Sequence, residues 1–170
     1  MPKVILVPYS RQWPETFEAL RRELLELFAP IPVVVEHIGS TAVPGLAAKS
    51  VIDLLLGADS LPAIESRSAA LSAIGYQYVS KYERELPDRR YFVKPSEPRI
   101  HLHGVAMDSP LWREHLVFRD ALRADPGLRS AYEKLKYQLA EQFADDKQAY
   151  TLGKSDFIRA VLRAGRQSPD

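Results

Sequence analysis

The chain has 170 residues, the usual length of one domain, and we expect residues 1–170 to fold as a single unit. A net charge of +1 gives no global positive field, so the composition does not predict a nucleic-acid partner. The absence of cysteine excludes disulfides, thiolate metal sites and a cysteine nucleophile. No apolar run approaches the roughly 20 residues that span a bilayer, and the N-terminus lacks a signal-peptide core, so we expect a cytoplasmic protein without a membrane partner.

The first third of the chain predicts one helix and two strands. Apolar residues at helical spacing predict a helix over 14–28, and consecutive β-branched residues predict a strand over 33–38. Proline and glycine indicate a loop over 39–49. Residues 51–56 form an apolar run interrupted only by Asp53, which is typical of a central strand covered on both faces.

The rest of the chain changes from mixed to purely helical patterns. Residues 60–74 predict a second helix, with Gly75 as the residue that ends it. Further strands are expected over 76–80, 90–94 and 100–106. Helices follow over 110–124, 127–144 and 155–164, and residues 166–170 are expected to be a frayed tail. The order of elements therefore predicts an α+β fold with α/β-type layers and appended C-terminal helices.

One segment carries the clearest chemistry, and it begins with a Gly-Ser turn after the strand over 33–38. A Gly-Ser turn lets backbone N–H groups approach a phosphate, and the hydroxyl of Ser40 adds a donor. Asp53 follows on the next predicted strand, where an unpaired buried charge would be very costly. A carboxylate there can hold a metal ion against the same phosphate. Gly39, Ser40 and Asp53 therefore predict a site for a metal and a phosphate; the alternatives are a plain tight turn at Gly39-Ser40 and a basic side chain that pairs with Asp53.

This spacing resembles the motif of the nucleotidyltransferase superfamily, in which Gly and then Gly or Ser precede Asp-x-Asp/Glu by about a dozen residues. Gly39, Ser40 and Asp53 fit the motif, but the second carboxylate would fall at position 55, which is Leu55. Because two-metal catalysis needs several carboxylates, this departure argues against ordinary nucleotidyl transfer. The resemblance implies a nucleotidyltransferase-like mixed sheet with flanking helices.

The chain as a whole is similar to the GrpB family of bacterial proteins, which implies the same fold and no settled activity. The resemblance covers nearly the whole chain. It is carried by EHIGSTAVPGLAAK (36–49), HLH (101–103), HLVFRD (115–120), YEKLK (132–136), and Tyr150 with Lys154 and Phe157-Ile158. Gly104 stands where the family usually has a β-branched residue, and we expect it to loosen the end of its strand.

Two histidines are further candidates for the site. His101 and His103 lie two residues apart on a predicted strand, so both side chains project from one face. They could join Asp53 as metal ligands, contact a phosphate or base, or be ordinary strand histidines. If they bind the metal with Asp53, the expected ion shifts from Mg²⁺ towards Zn²⁺, Mn²⁺ or a similar ion.

Basic side chains and the turn itself supply the expected phosphate contacts. The first candidates lie in or beside the turn and the others in family-matching helical segments: Gly39, Ser40, Thr41, Lys49, Arg119, Lys136 and Lys154. Each lysine or arginine could instead be a solvated surface residue. Of Glu36 and His37, which alternate on the strand before the turn, the pattern does not decide which faces the site.

Three functions are consistent with these residues. The first is a metal-dependent nucleotidyltransferase that moves a nucleotidyl group from a nucleoside triphosphate to a small molecule or protein, with Asp53, His101 and His103 as catalytic residues. The second is a catalytically silent module that binds a nucleotide or another phosphorylated small molecule, which Leu55 favours. The third is a metal-dependent hydrolase that uses the histidine pair. The sequence does not determine the oligomeric state.

Overall fold

The computed structural model describes residues 3–167 and contains one mixed β-sheet with seven α-helices around it in that part of the chain. The strands are β1 (Val33–Ile38), β2 (Val51–Ala58), β3 (Gln77–Val79), β4 (Arg89–Lys94) and β5 (Arg99–Ala106). The helices are α1 (Gln12–Phe28), α2 (Leu61–Glu65), α3 (Ser68–Ala73), α4 (Pro110–Ala124), α5 (Pro126–Gln142), α6 (Lys147–Gly153) and α7 (Ser155–Gln167). A short 3₁₀ helix, Ser40–Ala42, lies between β1 and β2. The predicted α+β class is confirmed.

The sheet has the order β1-β2-β5-β4-β3, and β2 and β5 form its only parallel pair among the described strands. Asp53 of β2 pairs in register with His101 of β5, and Leu55 pairs with His103. Paired residues project from the same face of a sheet. The register therefore places Asp53 and both histidines on one face.

The opposite face carries the main hydrophobic core beneath α1, α2 and α3. Alternate residues of β2, namely Ile52, Leu54 and Leu56, point into this core and are fully buried. Leu24 and Phe28 of α1 pack against them because the apolar stripe of that helix faces the sheet. The burial of both faces explains why β2 reads as an almost continuous apolar run.

Helices α4 to α7 lie on the Asp53 side of the sheet. Helices α4, α5 and α6 begin where polar side chains accept hydrogen bonds from the first-turn backbone: Ser109 from Trp112, Asp125 from Leu128, and Asp146 from Ala149. Trp112 of α4 packs over Leu55, while α5 and α6 approach the loop after β1. The C-terminal third of the chain therefore builds the second wall of a cleft over Asp53.

The structure corrects three of the expected elements. The helix expected over 60–74 is divided into α2 and α3, because Ser66 Oγ donates to the carbonyl oxygen of Ala63 and ends the first piece. No element was predicted over Lys147–Gly153, where the structure has α6 with Asp146 as its N-cap. The tail expected over 166–170 is helical at its start, since α7 runs to Gln167 and Arg166 pairs with Glu114 at 3.1 Å. Residues 168–170 lie outside the described part.

Two other sequence expectations concern β5 and Gly75. Gly75 ends α3 with a φ of 101°, as predicted for the residue after a helix. Gly104 does not loosen the end of β5, which continues to Ala106. A Cβ on Gly104 would lie 3.1 Å from Ile64, so the missing side chain lets α2 pack closely on the sheet. In the described residues, no helix combines the length and apolarity that crossing a membrane requires.

Candidate functional site

The Gly-Ser turn lies directly against the carboxylate of Asp53. Gly39 has a φ of 75° and a ψ of −176°, a backbone conformation that is essentially restricted to glycine. A Cβ at this position would lie 2.6 Å from Asp53 Oδ2. Glycine is therefore required twice, once for the conformation and once for the close approach. The fold therefore places the Gly39-Ser40 turn next to Asp53, as the sequence predicted.

Both predicted histidines point at one oxygen of Asp53. His103 Nε2 lies 3.1 Å from Asp53 Oδ1, and His101 Nδ1 lies 3.5 Å from the same oxygen. Burial raises the pKa of Asp53, but the hydrogen bonds from His101 and His103 lower it by more, so its pKa lies well below the ordinary value. Burial lowers the pKa of His103 despite its bond to Asp53. Asp53 is therefore ionised and His103 is neutral at neutral pH.

Two arginines hold the far sides of these rings. Arg89 of β4 lies with Nη1 3.3 Å from His103 Nδ1, and Arg99 of β5 donates from Nε to His101 Nε2 at 3.2 Å. The guanidinium of Arg89 also lies 4.5 Å from the ring centre of Tyr91, within cation–π range. Each imidazole is thus held between a carboxylate and a guanidinium.

A cluster of lysines faces the carboxylate from the helical wall. The ammonium groups of Lys49 and Lys154 lie 5.1 and 4.8 Å from the ring centre of Tyr150. Burial lowers the pKa of Lys154 to about 8, and neighbouring Lys49 lowers it further, although Asp53 opposes the shift. Burial likewise lowers the pKa of Lys49. These positive charges are held together at a cost that an anionic ligand would relieve.

Lys136 has a structural bond as well as a place in the cavity wall. Its side chain is 1% exposed, and Nζ donates to the carbonyl oxygen of Ala47 at 2.5 Å. Glu133, one turn earlier on α5, accepts from the backbone N–H of Ala47 at 2.7 Å. Burial, followed by the charge of Lys154, lowers the pKa of Lys136 to about 7. Helix α5 therefore fixes the loop between the Gly-Ser turn and β2.

The turn, the carboxylate and the lysines line one cavity of about 880 Å³. Among the residues that the structure describes, its wall holds six cationic side chains and two carboxylates. The cations are Lys49, Lys81, Arg89, Lys136, Lys147 and Lys154, and the carboxylates are Asp53 and Glu85. Tyr82, Tyr91, Tyr132 and Tyr150 add aromatic surface. The cavity is therefore strongly positive in a chain whose net charge is only +1.

Two predicted phosphate contacts are engaged elsewhere. Arg119 of α4 is absent from the cavity wall and pairs with Glu36 at 2.6 Å and Asp120 at 2.9 Å. Thr41 lines the cavity, but its hydroxyl donates to the carbonyl oxygen of Val51 at 2.9 Å and lies 3.0 Å from His37 Nε2. These contacts also show towards which helix each of the two side chains of β1 projects. Glu36 faces α4, His37 faces α1, and neither lines the cavity.

The donor set at Asp53 fits a metal only with help from a ligand. Leu55, at the expected position of a second carboxylate, is fully buried with Val105 and Trp112. Within residues 3–167, no three His, Asp or Glu side chains form a group that could hold a metal ion. Mg²⁺ commonly uses one or two carboxylates together with substrate phosphates. Asp53 alone is thus compatible with a metal that a phosphate ligand also coordinates.

Several residues of the site were not identified as such from the sequence. Arg89 and Arg99 contact the histidines. The ring centres of Tyr91 and His103 lie 5.2 Å apart. The signal was the two-residue alternation of β4 and β5, which places Arg89 and Tyr91 on the face of His101 and His103. Which strands would be neighbours could not be inferred from alternation alone.

Comparison with known proteins gives a consistent picture. The family model described as GrpB protein matches residues 3–164. The UPF0157 protein YqkA of Bacillus subtilis (strain 168) is 37% identical over 160 residues, which cover 94% of this chain and 46% of that protein. The chain therefore spans about half the length of this relative.

Similarity to solved structures identifies the fold of the chain. The crystal structure of the conserved protein GrpB from Enterococcus faecalis matches with a TM-score of 0.85 and 34% identity, over 95% of this chain and 96% of that one. The Cid1 poly(U) polymerase, solved with Mg and 3′-dATP, matches with a TM-score of 0.55 and 15% identity, over 79% of this chain and 43% of that one. The latter likeness shows the nucleotidyltransferase-type fold alone. With a family model matched over almost its whole length and a cleft built on the GrpB-like Gly-Ser turn, the chain belongs to the GrpB family.

Proposed function

We propose that the cleft binds the phosphate groups of a nucleoside triphosphate or of another phosphorylated small molecule. The observation that carries this proposal is the cavity itself, in which the Gly39-Ser40 turn and Asp53 face a wall of lysines. A phosphate that approaches these lysines favours their protonated form and so opposes the lowering of their pKa values by burial, and the resulting charged hydrogen bonds are strong. The four tyrosines of the wall offer flat surfaces for a nucleobase.

Titration calorimetry with ATP, GTP, CTP, UTP and inorganic triphosphate, each with and without Mg²⁺ or Mn²⁺, tests this proposal. We expect Lys154→Gln to weaken binding roughly 10- to 150-fold, because it removes one charge-assisted hydrogen bond worth about 1.5–3 kcal/mol. Lys134→Gln is the matched control, since Lys134 is exposed on α5 outside the cavity wall. Absence of binding to all five ligands by the folded protein would refute a nucleoside triphosphate as the ligand.

Nucleotidyl transfer is the second candidate, and the ionised carboxylate of Asp53 beside the turn favours it. A divalent ion, Mg²⁺ or Mn²⁺, bound by Asp53 and the phosphates of a triphosphate would supply charge stabilisation at the α-phosphate. In this role Asp53 orients the ligand, and Lys49 and Lys154 hold its remaining phosphates. The buried Leu55 leaves this centre with one carboxylate fewer than the superfamily motif.

Two measurements separate binding from transfer. Transfer moves the nucleotidyl group to a hydroxyl or amine of the acceptor and releases pyrophosphate, so metal-dependent pyrophosphate release in the presence of such an acceptor should disappear in Asp53→Asn. A silent module binds the same nucleotide without pyrophosphate release. The third expectation, a hydrolase with a metal on the histidine pair, would release inorganic phosphate instead. Both rings already lie between Asp53 and an arginine, which argues against a metal on the histidine pair.

A further inference from the structure

Each histidine beside Asp53 contacts the carboxylate on one side of its ring and a guanidinium on the other. His103 meets Asp53 Oδ1 through Nε2 and Arg89 through Nδ1, at 3.1 and 3.3 Å. His101 meets Asp53 Oδ1 through Nδ1 and Arg99 through Nε2, at 3.5 and 3.2 Å. The two rings therefore use opposite nitrogens towards the same carboxylate oxygen.

The arginines determine where the proton of each ring resides. A guanidinium carries donors only, so the imidazole nitrogen that it contacts must be an unprotonated acceptor. The remaining nitrogen of a neutral ring then carries the proton and donates to Asp53. His103 therefore carries its proton on Nε2, and His101 carries its proton on Nδ1.

We propose that Arg89 and Arg99 are positioning residues that fix opposite neutral tautomers of His103 and His101, so that both histidines donate to Asp53. The two N–H groups satisfy Oδ1 and hold the carboxylate as an anion, so no cation is needed to keep it ionised. The same arrangement makes both rings unavailable as metal ligands, because neither has a free unprotonated nitrogen. This inference does not depend on whether the cleft binds a nucleotide.

The position of Arg89 is more tightly constrained than that of Arg99. Its guanidinium lies 4.5 Å from the ring centre of Tyr91 and 6.0 Å from that of Tyr82. Arg99 is exposed at the start of β5, two residues before His101 on the same face of the strand. We therefore expect the tautomer of His103 to be the more sharply defined of the two.

Long-range ¹⁵N–¹H correlation NMR on the free, metal-free protein at neutral pH tests the proposal directly. The chain has four histidines, so the imidazole spectrum is simple. We expect the pattern of an Nε2–H ring for His103 and of an Nδ1–H ring for His101. An Nδ1–H pattern for His103, or an averaged mixture of tautomers, would overturn the proposal, and this measurement needs no variant.

Variants distinguish positioning from a merely structural role. In Arg89→Met we expect His103 to lose its single-tautomer pattern, and in Arg89→Lys, which retains a donor, we expect that pattern to return. Arg90→Met is the matched control, because Arg90 pairs with Glu65 at 2.7 Å and does not contact His103. The His37 signal reports on folding from the opposite face of the sheet. An unchanged His103 in folded Arg89→Met would contradict the proposal.

Zn²⁺ gives an independent test of the second consequence. When Zn²⁺ is added to the wild-type protein, we expect the correlation patterns of His101 and His103 to stay unchanged. A metal-bound signal from the ring nitrogen that faces an arginine would show that this ring is available as a ligand, and it would refute the role assigned to that arginine.

Discussion

Gly39 packs its Cα against the carboxylate of Asp53, and no other residue could occupy this position without moving that carboxylate. A Cβ there would lie 2.6 Å from Asp53 Oδ2 and 3.1 Å from Asp53 Cβ. The turn and the acidic residue are therefore one structural unit, although 13 positions separate them in the sequence. Any change in the turn is transmitted to the group that the proposed function depends on.

Gly39→Ala should destabilise the protein by about 2–4 kcal/mol, because both the strained backbone conformation and the contact with Asp53 oppose it. Gly45→Ala is the matched control. Gly45 also has a positive φ, of 83°, but its nearest neighbour would be Arg129 Nε at 4.0 Å. Urea unfolding of both variants separates the two causes. Equal losses of stability would show that contact with Asp53 contributes nothing.

Lys136 should make the stability of the protein depend on pH. Its pKa falls from 10.5 to about 7 on folding, so between these values the unfolded chain binds the proton and the folded protein does not. The free energy of unfolding therefore rises with pH across this window. Above pH 10.5 the lysine is neutral in both states and the effect ends.

Lys136→Met removes this titration while retaining the length of the side chain. We expect the free energy of unfolding of the variant to rise less steeply from pH 7 to pH 10 than that of the wild-type protein. The difference between the two proteins cancels the contributions of other groups. Urea unfolding at several pH values measures it, and parallel curves would be inconsistent with a buried, neutral Lys136.

The sequence predicted the elements of the fold and the centre of the site for different reasons. Strand β1 and helix α4 have the predicted bounds, because a run of β-branched residues and a Ser-Pro helix start are strong local signals. Gly39, Ser40 and Asp53 were predicted to lie together because their spacing along the chain resembles a known motif, and the fold brings Gly39 against Asp53. Both kinds of signal are contained within short segments.

The remaining features depend on contacts between distant segments. Arg119 was expected to bind phosphate, but it pairs with Glu36, 83 positions earlier. The bond from Lys136 to Ala47 spans 89 positions. Neither local periodicity nor composition predicts how α4 and α5 pack against the loop after β1. The sequence therefore could not separate structural from ligand-facing cations.

Leu55 should not tolerate the carboxylate that the superfamily motif would place there. Leu55→Asp buries a charge without a partner beside Trp112 and Val105, whereas Leu55→Ala only leaves a cavity that costs about 2–5 kcal/mol. We expect the aspartate variant to be less stable than the alanine variant in thermal unfolding. A stable Leu55→Asp protein that gains metal binding would show that this part of the core is adaptable.

Arg119 should contribute to stability rather than to ligand binding. Its side chain is 10% exposed and joins α4 to β1 through the 2.6 Å contact with Glu36. Arg119→Met should lower the free energy of unfolding by about 1–3 kcal/mol, because it leaves a partly buried carboxylate without its partner. A double-mutant cycle with Glu36→Gln should show coupling of about 1 kcal/mol.

The same variant tests where the phosphate-binding surface ends. Because Arg119 is outside the cavity wall, Arg119→Met should bind nucleotides as tightly as the wild-type protein, whereas Lys154→Gln should not. Calorimetry of both variants at equal ionic strength makes the comparison, since salt screens the contribution of each exposed cation. A loss of affinity in Arg119→Met equal to that in Lys154→Gln would place Arg119 among the ligand-binding residues and show that its bond with Glu36 opens when the ligand binds.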